Sequence, residues 1–189
     1  GGLTDQVMWL EAGERARIDR NSCRLLSIAD GREINREPET VTISAQAVDL
    51  NGHPDFMSKE IAENGTVVKT ALSIEEARID SIVEAILQSE RTVLTGVGTS
   101  YFVALMGQYM ISELADEFTP AMSSDELPHM VPLRDSDHVL AISQSGETYD
   151  TLRALRLSRA RGANLSAILN VESSSMAREV DQYLNQGAG

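Results

Sequence analysis

Two short stretches of the sequence combine glycines with hydroxyl side chains, a combination that can hold an anion. The first loop is residues 96–100, "GVGTS", and the second loop is residues 143–148, "SQSGET". A turn needs only one or two such residues. Glycine lets the backbone approach a ligand closely, and hydroxyl groups can donate hydrogen bonds to it. Both loops therefore indicate binding through several neutral donors rather than through lysine or arginine.

Each loop alone also has a purely structural interpretation. A glycine-rich turn with Ser or Thr at a helix start is ordinary connecting structure. The first loop is a poor dinucleotide fingerprint, because Tyr101 stands where the third glycine should be, and neither loop ends in the Gly-Lys-Ser/Thr of a nucleotide P-loop. Two similar loops following two strands favour a small phosphorylated ligand.

The elements around the loops alternate between strand-like and helix-like segments. The predicted strands are "RTVLT", "EFTPAM", "DHVLAIS" and "NLSAILN", and the predicted helices are "YFVALMGQYMISELA", "YDTLRALRLSRARG" and the start "SSSMARE", with "SSDELPH" as a turn or helical stub. This order predicts an α/β fold with a parallel sheet flanked by helices. Ligands bind at the carboxyl ends of such strands, where helix N-termini favour anions. We therefore expect the two loops to be adjacent at one sheet edge.

The region before residue 47 is predicted to be β-rich. "QVMWLEAGERARID" indicates a hairpin about Glu-Ala-Gly, "CRLLSIADGREINRE" a hairpin about Asp30-Gly31, and "ETVTISAQA" a third strand. A connection with a short amphipathic segment follows over residues 47–72. A helix is then predicted to begin with Ser73 as its N-cap and Glu76 in a capping box.

Composition narrows the classes of partner. Sixteen Lys and Arg against 29 Asp and Glu give a formal charge of −13, which argues against nucleic acid and against anionic membrane surfaces. No apolar run approaches the roughly 20 residues of a membrane span. The single cysteine, Cys23, fits a reducing compartment, so we predict a cytoplasmic protein.

No metal or cofactor is predicted. Cys23 has no catalytic pattern around it, and His129 and His138 lack ligand-like spacing. Glu147 is expected to favour a helix dipole rather than to act as an acid or base. The arginines between residues 153 and 161 are expected on a solvated helix face.

Three motifs of the sequence resemble the sugar isomerase (SIS) domain: "LTGVGTSY", "AISQSGETYDTLRALRLSRARGA" and "LNVESSSMAREVD". With "CRLLSIADGREINRE" and "VTISAQAVDLNGHPDFMSKEIAE", nearly the whole chain is similar to the glutamine–fructose-6-phosphate aminotransferases. It departs from that family at Val97, where many members have cysteine, and at "EIAENG" in the linker.

The resemblance implies a division of the chain and a set of binding residues. Residues 1–46 would end a glutaminase domain, residues 47–72 would be the linker, and residues 73–189 would form a first SIS domain. In the family these positions hold the sugar phosphate: Thr99, Ser100, Ser143, Gln144, Ser145 and Thr148.

The resemblance also implies a reaction and partners. The intact protein would be a homodimeric enzyme that makes glucosamine 6-phosphate from fructose 6-phosphate and glutamine, in amino sugar biosynthesis. Its glutamine nucleophile and ring-opening residues would lie outside this chain, so the segment is expected to bind sugar phosphate but to be inactive alone. The alternatives are an SIS sugar-phosphate deaminase or isomerase, and a sugar-phosphate sensor attached to a DNA-binding module.

Overall fold

The computed structural model describes residues 4–40 and 49–188, and the chain forms two compact units, Gly1–Pro54 and Asp55–Gly189. The described strands of the first unit are β1 (Gln6–Val7), β2 (Glu14–Ile18), β3 (Cys23–Ser27), β4 (Glu33–Ile34) and β5 (Glu39–Thr40). All pairing among them is antiparallel: β2, β3 and β4 form one sheet, and β1 pairs with β5. The prediction of a β-rich first region agrees with these strands.

The predicted hairpin at Glu-Ala-Gly is wrong, because β2 pairs with β3 and not with β1. The hairpin turn lies instead at Asp19, whose carboxylate accepts hydrogen bonds from the backbone N–H groups of Asn21 and Ser22. Such Asx turns are strong local signals, and this one prevails over the glycine turn. The hairpin about Asp30-Gly31 is confirmed, with Leu25 of β3 opposite Ile34 of β4.

The predicted third strand is only partly described. Glu39 and Thr40 form β5, and residues 41–48 lie outside the described residues.

The second unit contains a five-stranded parallel sheet in the order β10-β9-β8-β6-β7. Its elements, in chain order, are α1 (Phe56–Ala71), α2 (Glu76–Gln88), β6 (Arg91–Gly96), α3 (Thr99–Ala115), β7 (Ala121–Ser123), α4 (Leu127–Met130), β8 (Asp137–Ser143), α5 (Tyr149–Ala160), β9 (Asn164–Leu169), α6 (Ser175–Glu179) and β10 (Gln182–Asn185). The predicted α/β fold with a parallel sheet is confirmed. Strand β10 was not predicted, because its four residues show no β-branched run.

Both faces of the sheet are covered, as expected when helices cross between parallel strands. Every residue of the central strand β8 is buried. Alternate residues of the strands enter separate cores: Val93 and Val139 pack with Leu152 and Leu155 of α5, whereas Leu94 packs with residues of α2 and α3. The strand ends are therefore held from both sides.

The segment before the sheet is more helical than expected. The short amphipathic segment is a helix of 16 residues, α1, capped by the side chain of Asp55. The prediction that Ser73 caps α2 is wrong: the N-cap is Glu75, and the Ser73 hydroxyl donates to the carbonyl of Thr70 at the end of α1. Among the described residues, no helix has both the length and the apolar character needed to cross a membrane.

Candidate functional site

The two predicted binding loops follow neighbouring strands. Strand β6 ends at Gly96 and strand β8 ends at Ser143, and the two strands pair in parallel with Thr95 beside Ala141. Because parallel neighbours end at the same edge, the loops leave the sheet side by side. The predicted adjacency of the two loops is confirmed.

The first loop needs glycine at its first position for steric reasons. A Cβ atom on Gly96 would lie 2.8 Å from the backbone carbon of Ser100, so any side chain there would force the loop open. The loop turns at Gly98, with φ 60°, and α3 begins at Thr99. Among the described residues, neither the Thr99 nor the Ser100 hydroxyl has a hydrogen-bond partner. Both hydroxyls are therefore available to a ligand.

The second loop uses two of its hydroxyls to set its own shape. The Ser143 hydroxyl is buried and accepts a hydrogen bond from the N–H of Gly146, at 3.1 Å. The Ser145 hydroxyl accepts from the N–H of Glu147, at 3.2 Å. Since a serine hydroxyl is also a donor, each keeps its proton for a further acceptor.

Two further polar side chains of the second loop, Gln144 and Thr148, make no side-chain hydrogen bond within the described residues. Gln144 is exposed, and Thr148 is the N-cap of α5 but makes no side-chain capping bond. The N–H groups in the first turn of a helix lack partners within the helix. The starts of α3 and α5 therefore add backbone donors and partial positive charge to the hydroxyls at this edge.

Glu147, the only ionisable side chain within either loop, bonds to α6. The carboxylate of Glu147 accepts a hydrogen bond of 2.6 Å from the N–H of Ser175, the first residue of α6. The expectation concerned the start of α5, the helix that follows Glu147, whereas this carboxylate bonds to the start of α6. Another carboxylate, that of Asp125, lies in the segment after β7. The Ser123 hydroxyl donates a hydrogen bond to it, and this bond is the main reason why the pKa of Asp125 is lowered.

The segment after β9 braces the second loop from outside. The carbonyl of Gln144 accepts from the N–H of Asn170, and the carbonyl of Gly146 accepts from the N–H of Met176. Gly146 has φ +65°, and a Cβ atom on it would lie 2.5 Å from that of Ser174. These contacts fix the loop's course, and the sequence pattern predicted only that a helix begins at "SSSMARE".

The other candidate residues are not brought together. His138 is buried at the start of β8, at the opposite end of that strand from Ser143, and His129 lies on α4. Cys23 is exposed in the first unit. Within residues 4–40 and 49–188, no three His, Cys, Asp or Glu side chains form a group suited to a metal ion.

Two of the helix arginines expected on a solvated face bind acidic partners. Arg156 pairs with Glu179 at 2.6 Å, and Arg159 pairs with Asp181 at 2.7 Å. These pairs connect α5 to the end of α6 and to the residue before β10.

Comparison with known proteins matches the sheet region to a known family. The profile of the SIS domain family matches residues 85–186, which is more than half of the chain and includes both loops. The chain belongs to the SIS domain family.

Similarity extends beyond the SIS domain to one kind of enzyme. The glutamine–fructose-6-phosphate aminotransferase of Thermococcus kodakarensis is 31% identical over 188 residues, covering 98% of this chain and 31% of the relative. The C-terminal domain of glucosamine-fructose-6-phosphate aminotransferase from Francisella tularensis superposes with a TM-score of 0.64 and 30% identity, covering 75% of this chain and 42% of that one. The chain thus spans about a third of the length of the curated relatives it matches.

The same fold also occurs outside enzymes. The sugar isomerase domain of an RpiR transcription factor from Sphaerobacter thermophilus has a TM-score of 0.55 at 22% identity, over 68% of this chain and 72% of that one. Identity this low shows a shared fold alone.

Proposed function

We propose that the two loops of this SIS domain bind the phosphate of fructose 6-phosphate. The observation that carries the proposal is the placement of hydroxyl-rich loops at the ends of two adjacent parallel strands, each leading into a helix. A phosphate dianion accepts hydrogen bonds from many directions and is stabilised by helix N-termini. The proposed binding residues are Thr99, Ser100, Ser143, Gln144, Ser145 and Thr148.

The net charge of −13 does not oppose this binding. Solvent screens distant charges over roughly 8 Å at physiological ionic strength. A bound phosphate is then governed mainly by the donors that touch it. At the two loops these donors are neutral.

The protein that carries this chain is, in this proposal, a glutamine–fructose-6-phosphate aminotransferase. Support comes from similarity over 98% of the chain, which takes in nearly all of the 84 residues before the SIS match. An SIS isomerase or a sensor on a DNA-binding module would not require that first region to match the aminotransferase. This chain would supply sugar binding, while glutamine hydrolysis and sugar isomerisation would depend on other parts of the protein.

The domain organisation follows from the same proposal. Residues 1–46 would be the end of the glutaminase domain, residues 47–72 the linker, and residues 73–189 the first SIS domain. The boundary between the two compact units, at Pro54, falls inside the proposed linker. The single cysteine supports a cytoplasmic location.

The proposed partners are fructose 6-phosphate, glutamine at another domain, and a second copy of the protein. Helix α3 supports association, because several of its large apolar side chains are at least half exposed: Phe102, Val103, Met106, Tyr109, Met110 and Leu114. Patches of this kind mark interaction sites.

Replacing two loop hydroxyls tests the proposed function. In the protein that carries this chain, Thr99→Ala and Ser145→Ala should each weaken fructose 6-phosphate binding while leaving glutamine hydrolysis unchanged. A hydrogen bond to a charged group contributes about 1.5–3 kcal/mol, which corresponds to a roughly tenfold to hundredfold rise in Kd. The measurement is the Kd for fructose 6-phosphate beside the rate of glutamine hydrolysis.

Ser136→Ala is the matched control. This serine lies before β8, at the opposite end of that strand, where its hydroxyl bonds to Glu90. Its replacement should leave the sugar Kd unchanged. If Thr99→Ala and Ser145→Ala behave like this control, the loops are connecting turns and the proposed function is wrong.

A further inference from the structure

Three buried hydroxyl groups form a chain beneath the two binding loops. The hydroxyl of Ser124 lies 3.0 Å from that of Thr95 and 3.1 Å from that of Thr151. All three residues are at most 1% exposed. None of them belongs to the six residues of the proposed binding site. This hydroxyl chain therefore lies in the protein interior, out of reach of bulk solvent.

The direction of the hydrogen bonds follows from counting protons. The Thr95 hydroxyl donates to the carbonyl of Met122 at 2.9 Å, so its oxygen accepts from Ser124. Since each hydroxyl has a single proton, Ser124 must in turn accept from Thr151. The chain thus runs from α5 through Ser124 to β6 and ends on a backbone carbonyl of β7.

The ends of this chain adjoin the two loops. Thr95 immediately precedes Gly96, and the N–H of Ser124 donates to the carbonyl of Gly96 at 3.0 Å. Thr151 lies in the first turn of α5, three residues after Thr148. In the sheet, β7 lies on the opposite side of β6 from β8, the strand that leads into α5. The hydroxyl chain therefore links the end of β6 to the segments that follow β7 and β8.

We propose that the chain Thr95–Ser124–Thr151 is a positioning element that sets the separation of the two loops for the phosphate. This inference rests on the proposed function of the loops. Binding groups must be held within about 0.5 Å of their working positions by the residues beneath them. Apolar packing is non-directional, whereas hydrogen bonds of 3.0 and 3.1 Å fix the distances between named atoms.

Strand β6 offers an internal comparison. Val93 stands two residues before Thr95 on the same face and packs directly into the core between the sheet and α5. A valine of the same shape would suit the interior at position 95 on packing grounds alone. The hydroxyl is therefore the feature of Thr95 that needs explanation, and the link to Ser124 supplies it.

Isosteric substitutions in the 189-residue chain test the inference. Thr151→Val keeps the shape and removes the donor, and we expect it to raise the Kd for fructose 6-phosphate about tenfold. Thr151→Ser retains the hydroxyl and should stay within about twofold of the unsubstituted chain. Thr95→Val breaks the other end of the hydroxyl chain, so it should raise the Kd as much as Thr151→Val does. It therefore provides the test if Thr151→Val does not fold.

Thr92→Val is the matched control. Thr92 is a buried threonine on the same strand, but it faces His138 at the opposite end of the sheet. Its replacement should lower the unfolding temperature without changing the sugar Kd. Each variant is therefore measured by calorimetric titration and by thermal unfolding.

The outcomes separate the two proposals. If the unsubstituted chain binds fructose 6-phosphate, and Thr151→Val and Thr95→Val bind it as tightly as Thr92→Val does, the positioning role is overturned and the proposed function stands. If the unsubstituted chain does not bind the sugar phosphate, the proposed function fails and this inference fails with it.

Discussion

The six polar side chains of the proposed site differ in how freely they can bind a ligand. Thr99, Ser100, Gln144 and Thr148 have no hydrogen-bond partner among the described side chains, whereas Ser143 is buried and bonded to its own loop. A sequence pattern marks all six alike, because residue type does not reveal which hydroxyl is already engaged. We therefore expect Ser143 to set the loop's shape as well as to donate its remaining proton to the phosphate.

Thr95, Ser124 and Thr151 show the limit of residue-level prediction. The sequence places Thr95 in an apolar run and Ser124 in a turn, and neither position indicates a partner. Their contacts depend on strand order, since Ser124 and Thr151 meet across β6. Without that order, the sequence predicts only a turn or helical stub at "SSDELPH".

His138 makes a residue-scale prediction about acid stability. Burial lowers the pKa of His138 to about 4, an effect that the charge of Asp181 partly offsets. Its ring is fully buried, with Nε2 2.8 Å from the Ser166 hydroxyl. In the unfolded chain the pKa is about 6.5, so the unfolded state alone gains this proton as the pH falls from 6.5 to 4. Above pH 6.5 His138 therefore does not reduce the free energy of unfolding. As the pH falls from 6.5 towards 4, protonation of the unfolded state lowers that free energy.

Denaturant titrations at pH 7 and pH 4.5 measure this contribution. His138→Gln should lose about 2–3 kcal/mol less of its unfolding free energy between these pH values than the unsubstituted chain. His129→Gln replaces an exposed side chain of α4 and serves as the control, so it should behave like the unsubstituted chain. Equal pH dependence in the chain and in His138→Gln would contradict the assignment.

At the scale of elements, strong local patterns in the sequence predict the strands and helices correctly, whereas weak patterns do not. The apolar run "DHVLAIS" predicted β8, and Gly162, with φ +88°, ends α5 as expected. Strand β10 escaped prediction because it is held by parallel pairing with β9 rather than by its own residue types. The hairpin between β2 and β3 turns at Asp19, whereas the sequence pattern favoured the glycine at position 13.

The second loop yields an element-scale prediction. Gly146→Ala should destabilise the chain by about 1–3 kcal/mol, because φ is positive and the new methyl group meets Ser174. The displaced loop should also bind fructose 6-phosphate about tenfold more weakly. Thermal unfolding and sugar titration measure the two effects.

Removing the obstructing side chain provides the check on this explanation. In the double variant Gly146→Ala with Ser174→Gly, the crowding disappears while the backbone strain at residue 146 remains. Sugar binding should recover in part relative to Gly146→Ala alone. If the double variant binds no better than the single one, the collision with Ser174 is not what displaces the loop.

At the scale of the whole molecule, all six proposed binding residues and the hydroxyl chain belong to the second compact unit. We therefore predict that a chain of residues 55–189 binds fructose 6-phosphate with the same Kd as the 189-residue chain. A chain of residues 85–186 retains the sheet but lacks α1 and most of α2, whose Ile82 is buried against the sheet. It should unfold at a lower temperature.

Circular dichroism of each shortened chain shows whether it is folded before titration. A folded chain of residues 55–189 that binds the sugar phosphate much more weakly than the 189-residue chain would mean that the first unit contributes to binding. That result would contradict the placement of the site wholly within the SIS domain.

The most direct test of the central claim is a titration of the isotope-labelled chain with fructose 6-phosphate and with fructose, followed by amide resonances. We predict saturable shifts for fructose 6-phosphate that are largest in residues 96–100 and 143–148 and in the first turns of α3 and α5. Fructose without the phosphate should cause much smaller shifts at the same concentrations. Equal responses to both sugars, or shifts centred elsewhere on the sheet, would contradict phosphate binding at these two loops.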